Sequence, residues 1–268
     1  MKTLIYVHSN SGHTHLICEY LANRLPVTDW TLWNIRDNAA PDPTGFDRIG
    51  FASWTYYMGI PPLMLDFIQS LPLQQKQPAF VLTTFGMMPG QGLKRLARAA
   101  SARGFEVHLG CSIHCPENYP PFVLKGKGWD AIEAPTPKEM EVFSSFVSTL
   151  ENWLPKAQCP SEKIKIGILN TLMRPASPQK ARQDMGTLEV NTAVCNGCGI
   201  CVTACHYGAI VLQTAPIFMA EACCACWNCF NSCPQQAIYT QKVGAIGQYA
   251  KMHQNFKEKL KPVKPLVV

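Results

Sequence analysis

The sequence predicts an α/β fold, a doubly wound parallel sheet of five strands, followed by a small α+β unit. Three observations predict it. Over residues 1–155 short β-like runs alternate with helix-like runs, the pattern of a parallel sheet covered on both faces. The length of 268 residues fits two domains at roughly 100–200 residues each. Residues 195–238 hold an internal repeat, which sets that part off from the rest.

The strand candidates are Thr3–His8, Trp30–Ile35, Arg48–Ser53, Ala79–Thr84 and Phe105–Gly110. Between them lie amphipathic stretches. Ile60, Leu63, Met64, Phe67, Ile68 and Leu71 follow helical spacing, as do Met140, Phe143, Val147, Leu150 and Leu154. The second stretch opens with Thr136-Pro137-Lys138-Glu139, a capping box with proline at the first helical position. The pattern is lost from about Pro155 to Gly186, where Pro155, Pro160, Pro175 and Pro178 interrupt a lysine-containing stretch, residues 156–186. That stretch reads as a linker, with Ile164–Met173 apolar enough to dock. Residues 187–240 form the second domain, and the Lys- and Pro-bearing 241–268 reads as a C-terminal tail.

With 47% hydrophobic and 16% charged residues, the chain is globular, not disordered. It contains no apolar run of the length a membrane span needs, and Met1–Asn10 reads as a strand, without a charged and then apolar leader. The expectation is a soluble cytoplasmic protein. Of its 13 cysteines, nine fall between Cys195 and Cys233. An odd count in this setting argues for thiolates that hold metal and against a disulfide framework. Charge is uneven too: residues 1–155 carry 12 Lys and Arg against 13 Asp and Glu, and residues 156–268 carry 12 against 5, a net of +7. A basic half raises nucleic acid as a partner.

Cys195, Cys198, Cys201 and Cys205 form C-x2-C-x2-C-x3-C, and Cys223, Cys226, Cys229 and Cys233 repeat it, followed by Pro234. Three cysteines at this spacing wrap one side of a cuboidal iron–sulfur cluster, and the fourth corner needs a thiolate from elsewhere. Zinc prefers two C-x2-C pairs across a longer spacer and has no use for the third and fourth cysteines. On these residues, 187–240 resembles a bacterial-type ferredoxin with two 4Fe-4S clusters. In that family the fourth cysteine of each run serves the other cluster. The resemblance therefore implies one set of Cys195, Cys198, Cys201 and Cys233 and a second of Cys205, Cys223, Cys226 and Cys229. His206 stands where the family has proline. It reads as a turn substitution, the sharper alternative being a hydrogen bond near the second cluster. Cys224 is out of register and reads as a spare, while Cys18, Cys111, Cys115 and Cys159 read as buried thiols.

Ser9-Asn10-Ser11-Gly12-His13-Thr14 follows the first strand and leads into a helix. Hydroxyls, backbone N–H groups and a helix N-terminus make an anion site, and with neither a P-loop lysine nor G-x-G-x-x-G the pattern suits one terminal phosphate. The third strand ends in Ser53-Trp54-Thr55-Tyr56-Tyr57, and the fourth runs on through Thr84, Phe85 and Gly86 to Gly90. These loops share the carboxyl edge of the sheet, where ligands bind. Phosphate donors beside aromatic side chains fit FMN. Residues 1–155 are similar to flavodoxins, whose phosphate loop reads [ST]-x-[ST]-G-x-[ST], and Ser53–Pro62 resembles the loop of flavodoxin–ferredoxin fusion proteins. The resemblance implies FMN phosphate at Ser9, Asn10, Ser11, Gly12, His13 and Thr14. It places the ring between Ser53, Trp54, Thr55, Tyr56 and Tyr57 on one side and Thr84, Phe85, Gly86 and Gly90 on the other, with Pro116–Tyr119 as a further edge.

FMN exchanges one or two electrons and each cluster one, so the leading expectation is an intracellular low-potential electron carrier that serves partner oxidoreductases. A flavoenzyme reducing a small acceptor would need a proton donor, with Tyr56, Tyr57 and His114 as candidates. A third reading keeps the clusters and makes the first domain a docking module. Two oxidised clusters bring the formal charge of +6 to about +2. The basic surplus thus compensates largely for anionic cofactors, and the rest would steer toward acidic redox partners, not nucleic acid.

Overall fold

The structure is a computed structural model that describes residues 1–268 except 38, 127, 157–159, 161–167 and 262–268. Strands β1 (Lys2–His8), β2 (Asp29–Asn34), β3 (Arg48–Trp54), β4 (Gln77–Phe85) and β5 (Phe105–His114) form one parallel sheet in the order β2-β1-β3-β4-β5. The alternation within β1 explains the layers. Leu4 and Tyr6 enter one core and Ile5 and Val7 the other, as side chains of period two must when both faces are buried. Helices α1 (His13–Arg24) and α5 (Pro137–Trp153) cover the Ile5 face with Ile17, Leu21, Phe143 and Leu150. Helices α2 (Pro62–Ser70) and α3 (Gly92–Ala102) cover the Leu4 face with Met64, Ile68 and Leu96. The short α4 (Pro120–Val123) follows β5. The capping box forms at α5: Thr136 Oγ1 accepts from the Glu139 N–H, and the Glu139 carboxylate accepts from the Thr136 N–H.

β5 runs beyond the predicted end at Gly110, because Cys111–His114 pairs with Leu82–Phe85. Cys111 and Ile113 face the core while Ser112 and His114 alternate with them, and that polar share hid the strand in the sequence.

The linker region carries α6 (Ile168–Leu172) and α7 (Pro178–Met185). Residues 164–167 of the expected docked segment lie outside the described residues. Further along, Gln91 Nε2 donates to the carbonyls of Thr171 (2.9 Å) and Met173 (2.7 Å). Helix α7 buries Ala181 and Met185 in the core of the second domain.

That domain pairs β6 (Leu188–Val190) with β9 (Ile238–Thr240), and β7 (Ile210–Leu212) with β8 (Pro216–Phe218), both antiparallel. Helices α8 (Ile200–Ala204) and α9 (Asn228–Ser232) pack together. The repeat is structural: α9 takes up in the second copy the place of α8 in the first, and β9 that of β7, in the register that aligns Cys195 with Cys223. The Ala209 N–H donates to Cys205 Sγ at 3.2 Å, and at the matching positions of the second copy the Ala237 N–H donates to Cys233 Sγ at 3.4 Å.

The C-terminal segment differs from the expected tail. Helix α10 (Gln254–Lys259) sends Phe256, and Leu260 after it, into the core beneath α1 and α5. Its lysines gave the composition of a tail, but two well-placed apolar side chains suffice to dock a short helix. No helix among the described residues is long and apolar enough to cross a membrane.

Candidate functional site

The carboxyl edge of the sheet faces the second domain, and a cavity of about 260 Å³ lies there. The end of β3 and the loop after it line it with Trp54, Thr55 and Tyr57. The end of β4 and the loop after it add Thr84, Phe85 and Gly86, and the entry to α1 adds Ser11 and His13. The other predicted cofactor residues stand outside the lining. Ser9 Oγ accepts from the His15 N–H, Asn10 Nδ2 donates to the Cys226 carbonyl, and Thr14 Oγ1 pairs with Thr84 Oγ1 at 2.9 Å. Gly12, at φ +91°, turns the chain into α1, and Gly90 lies against the Met58 backbone. Ser53 is buried, and Tyr56 reaches across to donate to the Cys224 carbonyl at 2.7 Å.

Glu117, within the edge predicted at Pro116–Tyr119, proves to be the staple of the site. Its buried carboxylate accepts from the backbone N–H of Met87 (2.9 Å), Asn118 (2.8 Å) and Tyr119 (2.9 Å). These charge-assisted bonds tie the β4 and β5 loops together. A Cβ at residue 86 would lie 2.2 Å from a Glu117 oxygen, so Gly86 is required by the approach.

The lining residues with buried polar atoms that lack a hydrogen-bond partner include Trp54 Nε1 and Thr55 Oγ1, each costing about 1–3 kcal/mol while unsatisfied. A flat heterocycle with carbonyl and imino edges would satisfy such groups, and Ser11 at the start of α1 suits an anionic tail. The residues present therefore fit FMN. Of the three candidate proton donors, only Tyr57 lines the cavity, and burial holds its phenol protonated. Tyr56 is committed to Cys224, while His114 Nδ1 meets Glu139 at 2.9 Å and its ring stacks on Phe85.

His13 links the phosphate-type loop to the C-terminal segment. Its Nδ1 meets Ser11 Oγ, and its Nε2 meets the Tyr249 hydroxyl, both at 2.8 Å. The Tyr249 N–H donates to Asn231 Oδ1, and Asn231 Nδ2 donates to the Asn118 carbonyl. Burial, with the nearby His253 adding to it, pushes the His13 pKa down to about 3, so the ring is neutral.

The ligand-type cysteines stand in two groups. Cys195, Cys198, Cys201 and Cys233 line one cleft with Leu212 and Ile238. In the other group burial raises the Cys229 thiol well above its usual range, and Cys226, Cys223 and Cys205 stand as its neighbours. Cys205 thus stands with the second run and Cys233 with the first. Among the described residues no three His, Cys, Asp or Glu side chains converge on a single-ion point. The groups differ in setting. Cys198 is exposed, as are Val194, Ile200, Leu212 and Ile217 around that unit, whereas Cys226 lines the interdomain cavity beside Ala225 and Trp227. Ala225 and Trp227 have left-handed backbones, φ +55° and +63°, which costs an L-residue roughly 1–2 kcal/mol. Cys224 is buried and contributes its carbonyl, and Cys18, Cys111 and Cys115 are buried thiols. Cys159 lies outside the described residues.

His206 is neither a bare turn residue nor a donor to sulfur in this structure; it joins the domains. Asn228 Nδ2 donates to the Ala204 carbonyl (2.6 Å) and to His206 Nε2 (3.0 Å), so His206 carries its proton on Nδ1 and donates it to His8 Nε2 at 3.1 Å. Both rings are neutral. Burial, then the closeness of the partner ring, which penalises a second proton on the pair, and then Arg36 lower His8 to about 3, and burial, then Arg36, lowers His206 to about 4. No local pattern links residues 198 positions apart, so this pair was invisible in the sequence.

Comparison with known families accounts for both parts. Residues 4–95 match the flavodoxin domain, and residues 187–210 match the 4Fe-4S binding domain. The chain joins a flavodoxin domain to a 4Fe-4S ferredoxin-like domain, a combination of electron-transfer modules that implies FMN and an iron–sulfur cluster. Among solved structures, a flavodoxin from the domain Archaea is similar at 17% identity, over 57% of this chain and 97% of its own, with a TM-score of 0.41. The Megasphaera elsdenii flavodoxin is similar at 15% over 42% and 85%, TM-score 0.37. Rubredoxin oxygen oxidoreductase from Desulfovibrio gigas is similar at 18% over 56% and 35%, TM-score 0.41. Comparison with curated proteins found no match.

Proposed function

We propose that this chain is an intracellular electron carrier that moves electrons between two 4Fe-4S clusters and FMN within one molecule and exchanges them with partner redox proteins. The observation that carries this reading is that Cys226, a ligand of the second cluster on this assignment, lines the same cavity as Trp54, Tyr57, Thr84 and Phe85. FMN, when bound, supplies exchange of one or two electrons against the single electrons of the clusters. The chain's own residues do the rest. Ser11 and the first turn of α1 hold the anionic tail, the aromatic loops exclude water from the ring, and Glu117 fixes the loops that frame it. The backbone N–H groups of Ala209 and Ala237 each donate to a ligand sulfur, which stabilises charge there and tunes potential.

The first ligand set, Cys195, Cys198, Cys201 and Cys233, is the port for a partner on this reading, because Cys198 is exposed and apolar side chains surround it. No Lys or Arg occurs from Gln183 to Gln241. Arg36 of the first domain reaches this unit from outside that stretch, its guanidinium donating to the Thr203 carbonyl at 2.8 Å. The reading is tested by photoreducing the clusters in dilute, FMN-loaded protein and following flavin bleaching. Bleaching in a first-order phase whose rate is independent of protein concentration is the expected result. A rate proportional to concentration would mean that electrons reach the flavin only between molecules.

A further inference from the structure

We infer that Trp227, a residue of the cluster domain, is part of the flavin site and contacts the bound ring. The inference rests on reading the cavity as an FMN site. It starts from the repeat. Ala225 and Trp227 are the second-copy counterparts of Gly197 and Gly199, and all four are left-handed, with φ of +55°, +63°, +70° and +74°. The C-x2-C-x2-C turn thus needs left-handed backbone at these two positions in both copies, and the first copy meets that need with glycine, which adopts it without strain. The second copy installs a methyl group and the largest of all side chains at the same places. Glycine would serve the cysteine turn better, so the bulk answers to something other than the cluster.

Its surroundings say what that is. Ala225, Cys226 and Trp227 all line the interdomain cavity. The Trp227 ring meets Tyr119 edge-on at 6.0 Å, and Tyr119 in turn meets Tyr57 edge-on at 5.8 Å. Tyr57 and Tyr119 also line the cavity, so one aromatic wall is built from both domains. Gly199, by contrast, faces Leu212 in the cleft of the first cysteine set. The flavin and the second cysteine set would therefore share the short segment Ala225–Trp227 as a common wall, which makes the second cluster the flavin's immediate neighbour.

The test is a titration of full-length, cluster-loaded, flavin-stripped protein with FMN, read by quenching of flavin fluorescence, alongside iron content. Trp227→Gly relieves the backbone and removes the ring. It is expected to keep its iron and to bind FMN about tenfold more weakly, while Trp227→Phe keeps most of the wild-type affinity. FMN binding by Trp227→Gly as tight as by wild type overturns the assignment alone. Loss of iron from Trp227→Gly in parallel with FMN overturns it too, since the side chain would then be holding the cluster fold. A wild-type protein that takes up no FMN overturns this assignment together with the functional reading beneath it.

Discussion

The two cysteine runs share a backbone and differ in almost everything around it. Each has a five-residue helix after its second cysteine, a three-residue strand, and an N–H···S bond to its fourth cysteine, all at matching positions of the repeat. The first run sits at the surface, with glycines at its left-handed positions and Cys198 exposed. The second is pressed against the flavodoxin domain, where Tyr56 and Asn10 donate to the Cys224 and Cys226 carbonyls. A duplicated motif thus supplies two equivalent cradles, and the residues between the ligands decide which one faces outward and which faces the flavin loops.

The strongest way to break this comparison is to remove ligands. Cys233 belongs to the second run but stands with the first group. Cys233→Ala is therefore expected to cut iron to about half and to leave the same residual cluster spectrum as Cys198→Ala, not that of Cys226→Ala. Iron analysis with electron paramagnetic resonance decides it, and a Cys233→Ala spectrum that matches Cys226→Ala would mean that each run holds its own cluster.

The joint between the domains comes next. His206→Pro gives the first copy the residue that the second has at Pro234 and removes the proton that His8 Nε2 accepts. Leaving that buried nitrogen unpaired should cost about 1–3 kcal/mol, visible as a lower denaturation midpoint. An unchanged midpoint would mean that the histidine pair does not secure the cluster domain against the sheet.

Acid should act at the same joint and at the phosphate-type loop. His8 and His13 are buried neutral with pKa values near 3, below the ordinary 6.5 of the unfolded chain. The unfolded state then binds more protons, so stability is complete above about pH 6.5 and falls as pH drops toward the folded values, by at most about 1.4 kcal/mol per unit for each ring. Denaturation of His13→Gln and wild type from pH 7 to pH 5 should show the shallower slope in the variant.

The smallest effect separates the two runs most finely. Gly197→Ala, whose Cβ would meet the Thr214 carbonyl oxygen at an ordinary 3.6 Å but at φ +70°, should cost about 1 kcal/mol, whereas Ala225→Gly should be neutral or gain up to about 1 kcal/mol. Equal effects of opposite substitutions on thermal midpoints would deny that the second run carries strain.

What could be read in the sequence was whatever has a local period. The five strands, the α5 cap and the cysteine runs each announce themselves within a short window, and the three loops at the carboxyl edge follow from strand order. What could not be read depends on chain segments that meet only after folding. Glu117 stood within the edge expected at Pro116–Tyr119, but its role comes from the β4 loop standing over it. Trp227 stands between two ligand positions, and nothing near it in the sequence marks it for the cavity. Phe256 and Leu260, two apolar residues among lysines, looked like part of a tail until α1 and α5 offered them a core. Tyr56 was placed with its loop neighbours at the flavin, but the second domain drew it to the Cys224 carbonyl.

On the proposed function one chain holds a flavin and two clusters around a shared wall. Acid release of the cofactors from anaerobically purified protein tests it most directly. The account predicts about one FMN and about eight irons per chain; about four irons, or no flavin, would contradict it.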